Sequence, residues 1–142
     1  DVEVIVENTN SMDDVQAAKE LAKAFVGRGV DVLSPMADQS SLGVMEAAEE
    51  EGVFGIGSGA NQNDVAPTMA VTSIIKDTSV AYEAAYQSFL DNDLPEEVLP
   101  MGAAQGVIYI DEWYSDVDQD VKDAMEQIVQ DFIDGKINID LD

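Results

Sequence analysis

Lys76 follows the strand-like run Thr72-Ser73-Ile74-Ile75 in a chain of 142 residues that carries only 6 Lys+Arg against 30 Asp+Glu. An ammonium at a strand end offers three hydrogen-bond donors. They suit a ligand hydroxyl or carbonyl, or a neighbouring carboxylate, and the residue alone leaves both readings open. Asp13 and Asp14 form an acidic pair. Together with Thr72-Ser73 and Lys76 they loosely fit a phosphoacceptor layout, but the middle strand ends in Gly57-Ser58 with no Asp to phosphorylate. The pair reads as helix-cap charge, where the helix dipole favours anions. The loop Gly55-Ile56-Gly57-Ser58-Gly59 has the look of a phosphate cradle. A nucleotide fingerprint needs its glycines leading directly into a helix. Here Asn61-Gln62-Asn63-Asp64, Pro67 and another strand follow, so these are turn glycines, with a small-molecule contact loop as the rival reading. Trp113-Tyr114 reads as a packed anchor at a sheet end in preference to a stacking platform. The chain contains neither Cys nor His. Disulfides, thiol nucleophiles, Cys/His zinc sites and Ser-His triads are therefore excluded. A carboxylate pair could still act as acid and base, but in so acidic a chain such a pair carries little information.

The elements that must position these residues are legible as alternating strands and helices. Val2–Val6 reads as a strand. Ser11 is expected to cap a helix whose apolar positions Val15, Ala18, Leu21, Ala22, Phe25 and Val26 keep helical spacing, with Gly27 and Gly29 as its stop. Strands are expected at 31–36, 53–56, 68–75 and 105–110, and a short one at 136–140. Ser40 or Ser41 opens a helix ending at Gly52. Asp77 or Thr78 opens one reaching Asp91, and a last helix covers 116–134. Alternation of this kind predicts an α/β fold, a parallel sheet with helices on both faces, in one lobe covering 1–142. Ligands of such sheets sit beyond the C-terminal strand ends, here near 8–13, 36–41, 57–64 and 76–77.

The formal net charge is −24, and the acids are spread along the whole chain. Self-repulsion on that scale opposes compaction. In molar salt the Debye length falls to about 3 Å and the repulsion is screened. The dispersal favours a halophilic, acidic surface over a localised acidic docking patch. No basic patch exists to meet phosphates, so nucleic acid is not an expected partner. No apolar run approaches the ~18–20 residues of a membrane span. No signal peptide is recognisable, and the chain reads as part of something larger.

Several runs, in order, resemble the basic membrane protein (BMP) family. Asn10-Ser11-Met12-Asp13-Asp14, Ala18-Lys19-Glu20-Leu21-Ala22 and Gly29-Val30-Asp31-Val32 match its Ser-Phe-Asn-Asp-Pro loop, the helix that follows and its Gly-Ala-Asp-Val-Ile strand. Leu42-Gly43-Val44-Met45-Glu46-Ala47-Ala48, Gly52-Val53-Phe54-Gly55-Ile56-Gly57, Thr72-Ser73-Ile74-Ile75-Lys76 and Ile133-Asp134-Gly135-Lys136-Ile137 resemble later family segments. The resemblance implies a type I periplasmic-binding-protein fold of two lobes closing on a cleft, with this chain running from the start of the second lobe to the C-terminus. It implies a lipoprotein held at the cell surface by an upstream lipid anchor. Such a protein would pass a small polar solute, a purine nucleoside in the best-known members, to an ABC transporter permease. Carried over residue by residue, ligand contacts fall on Met12, Asp13, Asn61, Gln62 and Lys76, with Asp38 and Gln39 supplying further polar contacts. Met12 replaces the family's stacking Phe, and Asn61 replaces an acid. No catalytic residue, metal or cofactor is implied. The alternative is a ligand-sensing regulatory domain of the same fold. Residues 77–104 are expected to cross to the missing lobe. The face it leaves, with Tyr82, Ala85, Tyr86 and Phe89, would then be exposed or would drive self-association.

Overall fold

The computed structural model describes residues 2–137. Asp14 opens helix α1 (Val15–Val26), its carboxylate accepting the Ala17 N–H at 2.9 Å. The expected cap, Ser11, acts one turn earlier: its Oγ accepts the Asp14 N–H at 3.0 Å. Strand β1 is only Val32–Leu33, shorter than the expected 31–36. Helix α2 (Ser41–Glu51) ends at Gly52, whose φ of 70° closes it in the left-handed conformation. Strand β2 (Phe54–Gly59) runs through the glycine-rich segment, and β3 (Ala70–Lys76) follows a one-turn helix, Asn63–Val65. Then come α3 (Thr78–Leu90), β4 (Ile108–Ile110) and α4 (Gln119–Ile133). Among the described residues no helix is long and apolar enough to cross a membrane.

The sheet order is β1-β2-β3-β4. The first three strands are parallel, as the alternation predicts. β4 departs from it and lies antiparallel to β3, with Ile108 beside Lys76 and Ile110 beside Ile74. The reason lies in α3. A crossover helix packed on the sheet returns the chain to the starting end, and the next strand is then parallel. α3 buries no residue, so the chain re-enters beside the end of β3 and runs back. The Val2–Val6 segment also corrects the sequence reading, because it forms no strand. Val2, Val4 and Val6 are 91%, 76% and 84% exposed, and their backbone finds no sheet partner among the described residues. A β-propensity run becomes a strand only where a neighbour accepts its hydrogen bonds. The strand expected at 136–140 falls largely outside the described residues, and Lys136–Ile137 are not in one.

The core lies between the sheet and α2, with α1 packed alongside. It is built of small residues. Ala22, Leu33, Ala47 and Ala48 form one cluster, and Met45, Ala66 and Ala70 the other. Gly55 faces Met45, whose Cε would lie 2.9 Å from any added Cβ. At Gly43 a Cβ would collide with the backbone carbonyl of Val15, so α1 and α2 meet backbone to backbone. The seam is closed at its surface by ion pairs. Lys19 reaches Glu50 at 2.7 Å and Glu46 at 2.9 Å, and Lys23 reaches Glu50 at 2.8 Å. Hydrogen bonds from Lys19, then from Lys23, pull the Glu50 carboxyl down to about 2 from an ordinary 4.5.

Two outcomes follow from this seam. Gly43→Ala would raise intrinsic helix propensity by ~0.5–1 kcal/mol. Here it should instead destabilise by about 1–3 kcal/mol, because the obstacle is backbone that cannot rotate away. A urea midpoint that rises would contradict the close approach. Glu50, with a depressed folded-state value, stabilises fully above pH 4.5, and that contribution is lost as pH falls towards about 2. Glu50→Gln should therefore flatten the stability profile over that window. Molar salt should shrink the difference, since the Glu50 side chain is 48% exposed.

Candidate ligand-binding cleft

The C-terminal ends of β1, β2 and β3 open into a cleft of about 740 Å³. Its walls are apolar at Met12, Met36, Leu42, Ile74, Ile75 and Ile108, and polar at Asp38, Gln39, Ser58, Gln62 and Lys76. Three local devices assemble it. In the first, Ser40 N–H donates to the Met12 carbonyl at 3.0 Å and ties the loop before α1 to the loop after β1. In the second, Asp38 adopts φ of 50°, uncommon for a residue with a side chain, and starts the turn Asp38–Ser40. The Ser41 hydroxyl accepts the Ala37 N–H at 3.1 Å and holds that turn to α2.

The third device is at the end of β2. A Cβ on Gly57 would strike the Ser73 hydroxyl and approach Gln62 Cβ to 3.1 Å, so only glycine lets Gln62 fold back over the strand. Gln62 N–H donates to Ser73 Oγ at 3.1 Å, and its Oε1 accepts the Ser58 N–H at 3.2 Å. Gln62 is only 7% exposed on the cleft wall, and its Nε2 meets no acceptor among the described residues. The Ser73 hydroxyl, fully buried, donates to Asn63 Oδ1 at 3.3 Å. The glycines expected to form a turn thus lie in strand β2, where Gly57 serves as a packing device. No α-helix follows them, only the turn Asn63–Val65, so they form no phosphate cradle.

Of the residues singled out by sequence, the fold brings Met12, Asp38, Gln39, Gln62 and Lys76 together around this cleft. Asp13 stands apart, accepting the Ser11 hydroxyl at 2.8 Å. Asn61 also lies off the lining, with its amide on Asp111 and Tyr114. Trp113 faces a second hollow of about 580 Å³ between β4 and α4, with Tyr109 and Met125. Sequence reasoning did not single out Met36 or Ile108. Met36 is an apolar residue at the start of the strand-end range 36–41, a usable signal. Ile108 carried none, because only the antiparallel course of β4 puts it beside Lys76.

Asp38 and Lys76 are the charged groups on the lining, one of each sign. Lys76, like Lys122, pairs with no carboxylate among the described residues, whereas Lys19, Lys23, Arg28 and Lys136 do. The cleft therefore presents donors at Lys76 and Gln62, an acceptor at Asp38 and apolar walls between them. That suits binding of a small polar molecule.

The model of the Bmp family, described as ABC transporter substrate-binding protein PnrA-like, matches residues 1–140. The chain is 33% identical over 113 residues to basic membrane protein B of Borreliella burgdorferi, covering 76% of this chain and 33% of that protein. It is 30% identical over 129 residues to a putative ABC transporter glucose-binding protein of Haloferax volcanii, covering 88% of this chain and 32% of that one. The structure of an ABC transporter solute-binding protein from Aeropyrum pernix superposes on the whole chain with a TM-score of 0.84 at 19% identity, using 49% of its own length, and shows the same fold. The chain spans about a third of the length of the curated relatives it matches. With a match across nearly its whole length, the chain belongs to the Bmp family of PnrA-like ABC transporter substrate-binding proteins.

Proposed function

We propose that this chain is one lobe of an extracytoplasmic solute-binding protein, anchored at the cell surface, that delivers a small polar solute to an ABC transporter permease. The observation that carries the reading is the cleft. Its donors at Lys76 and Gln62 Nε2 and its acceptor at Asp38 converge on a hollow with apolar walls. Gln62 Nε2 makes no hydrogen bond among the described residues and keeps solvent access, so a solute acceptor there adds a hydrogen bond worth about 0.5–1.5 kcal/mol. The balanced lining favours an uncharged or zwitterionic solute. A nucleoside fits: its base would lie against Met12 and Met36, and its hydroxyls would meet Asp38 and Lys76. A sugar offers the same hydroxyls without the apolar face.

Melting temperatures of the full-length protein in molar KCl, with inosine, adenosine, uridine, glucose and glutamate, test this directly. Binding to the native state raises the melting temperature. A rise with inosine or adenosine is expected, and no rise with any of the five would sink the nucleoside and sugar readings together. Gln62→Glu keeps the acceptor for Ser58 N–H and replaces the free donor with an oxygen. It should weaken binding about tenfold, since one hydrogen bond is worth roughly 1 kcal/mol and the new charge adds to the loss.

The same reading assigns a cover to the exposed apolar surface. The chain exposes 9951 Å², where a compact monomer of its mass exposes about 7,100 Å². The excess is larger than the ~1,000–2,500 Å² that one partner of a permanent interface buries. On α3, Tyr82, Tyr86 and Phe89 are 75%, 64% and 63% exposed. Residues 77–104 would pack on a second lobe in the full-length protein. Expressed alone, residues 1–142 should therefore self-associate through this face in sedimentation, and Tyr86→Glu with Phe89→Glu should return a monomer. A monodisperse monomer of the unmutated chain would contradict the assignment.

A further inference from the structure

Asn61 sits between Ala60 and Gln62, which line the cleft, yet does not line it itself. Its Nδ2 donates to Asp111 Oδ2 and to the Tyr114 hydroxyl, each at 2.8 Å. Its Oδ1 accepts the Asn63 N–H at 3.0 Å. One side chain therefore joins the loop after β2 to the segment after β4, 50 residues away. That segment is seated on β3. Asp111 N–H donates to the Ser73 carbonyl and Tyr114 N–H to the Val71 carbonyl, both at 2.9 Å, and Thr72 Oγ1 donates to the Asp111 carbonyl at 3.0 Å. Ser73 in turn holds the Gln62 N–H at 3.1 Å. Hydrogen bonds thus tie the Asp111–Tyr114 segment both to Asn61, the neighbour of Gln62, and to β3, whose Ser73 holds the Gln62 N–H.

The site asks for a side chain that donates twice and accepts once on a short stem, which an amide of this length provides. A carboxylate at 61 would lose both donors and face the Asp111 carboxylate at hydrogen-bond distance, where like charges repel. We infer that Asn61 is a positioning residue for the cleft: with Asp111 and Tyr114 it clasps the segment after β4 to the loop after β2, and so holds Gln62 in place without touching the solute. The meaning of this for binding rests on the function proposed above, but the clasp can be tested with no solute present.

The test is amide hydrogen exchange on the full chain in molar KCl, read at Ser58, Gln62 and Tyr114. Asn61→Asp should speed exchange at all three by about tenfold. The double variant N61D/D111N exchanges carboxylate and amide, restores the pair and should return exchange to the wild-type rate, a rescue that general destabilisation would not show. Unchanged exchange at Ser58 and Gln62 in N61D overturns the inference, as does faster exchange at Tyr114 alone. If N61D does not fold, Asn61→Ala removes the amide without adding charge and should loosen the same three amides to a lesser degree. Solute binding is a separate readout: its absence in the wild type would remove the transport reading and leave the exchange result standing.

Discussion

At Gly43 the backbone of α2 meets the carbonyl of Val15 with no side chain between them. That approach brings α1 and α2 together as a single layer, and Ala47, Ala48 and Met45 then settle onto β1, β2 and β3. The core is one of close contact between small residues more than of bulk. Dispersion in such a core depends on distance, and a gap of about half an ångström forfeits a large share of it. Small residues therefore set a position more sharply than they add area. The cleft inherits that precision, because the loops bearing Met12, Asp38 and Gln62 leave directly from these elements.

Charge is organised around the same seam. Lys19 and Lys23 bind three glutamates of α2 across it, and Arg28 pairs with Glu7 while lying over the Phe25 ring. Exposed pairs of this kind are worth little singly. In a chain of net charge −24 they also remove repulsion where two helices must touch. Lys76 is placed differently, at the mouth of the cleft and away from the carboxylates that hold the lysines of the seam. A cation withheld from the general pairing is where a ligand acceptor finds a charge-assisted partner.

α3 governs the topology of the other end. It leaves β3 after an Asp77 cap and packs on nothing among the described elements closely enough to bury a residue. The chain returns beside the end of β3, and β4 runs back along it. Ile108 reaches the cleft by this route, and the Asp111–Tyr114 segment comes within reach of Asn61. An isolated helix of 13 residues is marginal in water. Its aromatic side chains account for its place in the fold only when another surface covers them.

Much of this was legible in the residues. α1, α2, α3 and α4 lie where apolar spacing and Asp, Ser or Gly boundaries put them, because helix formation is settled within four residues along the chain. β2 and β3 were legible as apolar runs between turn residues, and a site at their C-terminal ends followed from parallel order. The absence of Cys and His removed whole classes of chemistry on composition alone. What the tertiary structure alone decided involves partners far apart in sequence. Val2–Val6 has strand composition but no neighbour to pair with, β4 takes its direction from a helix that never packs on the sheet, and Asn61 turns to Asp111 and Tyr114 in place of the cleft. A residue's propensity is local, whereas the group it bonds is whatever the completed packing leaves within about 3 Å, and no window along the chain contains that choice.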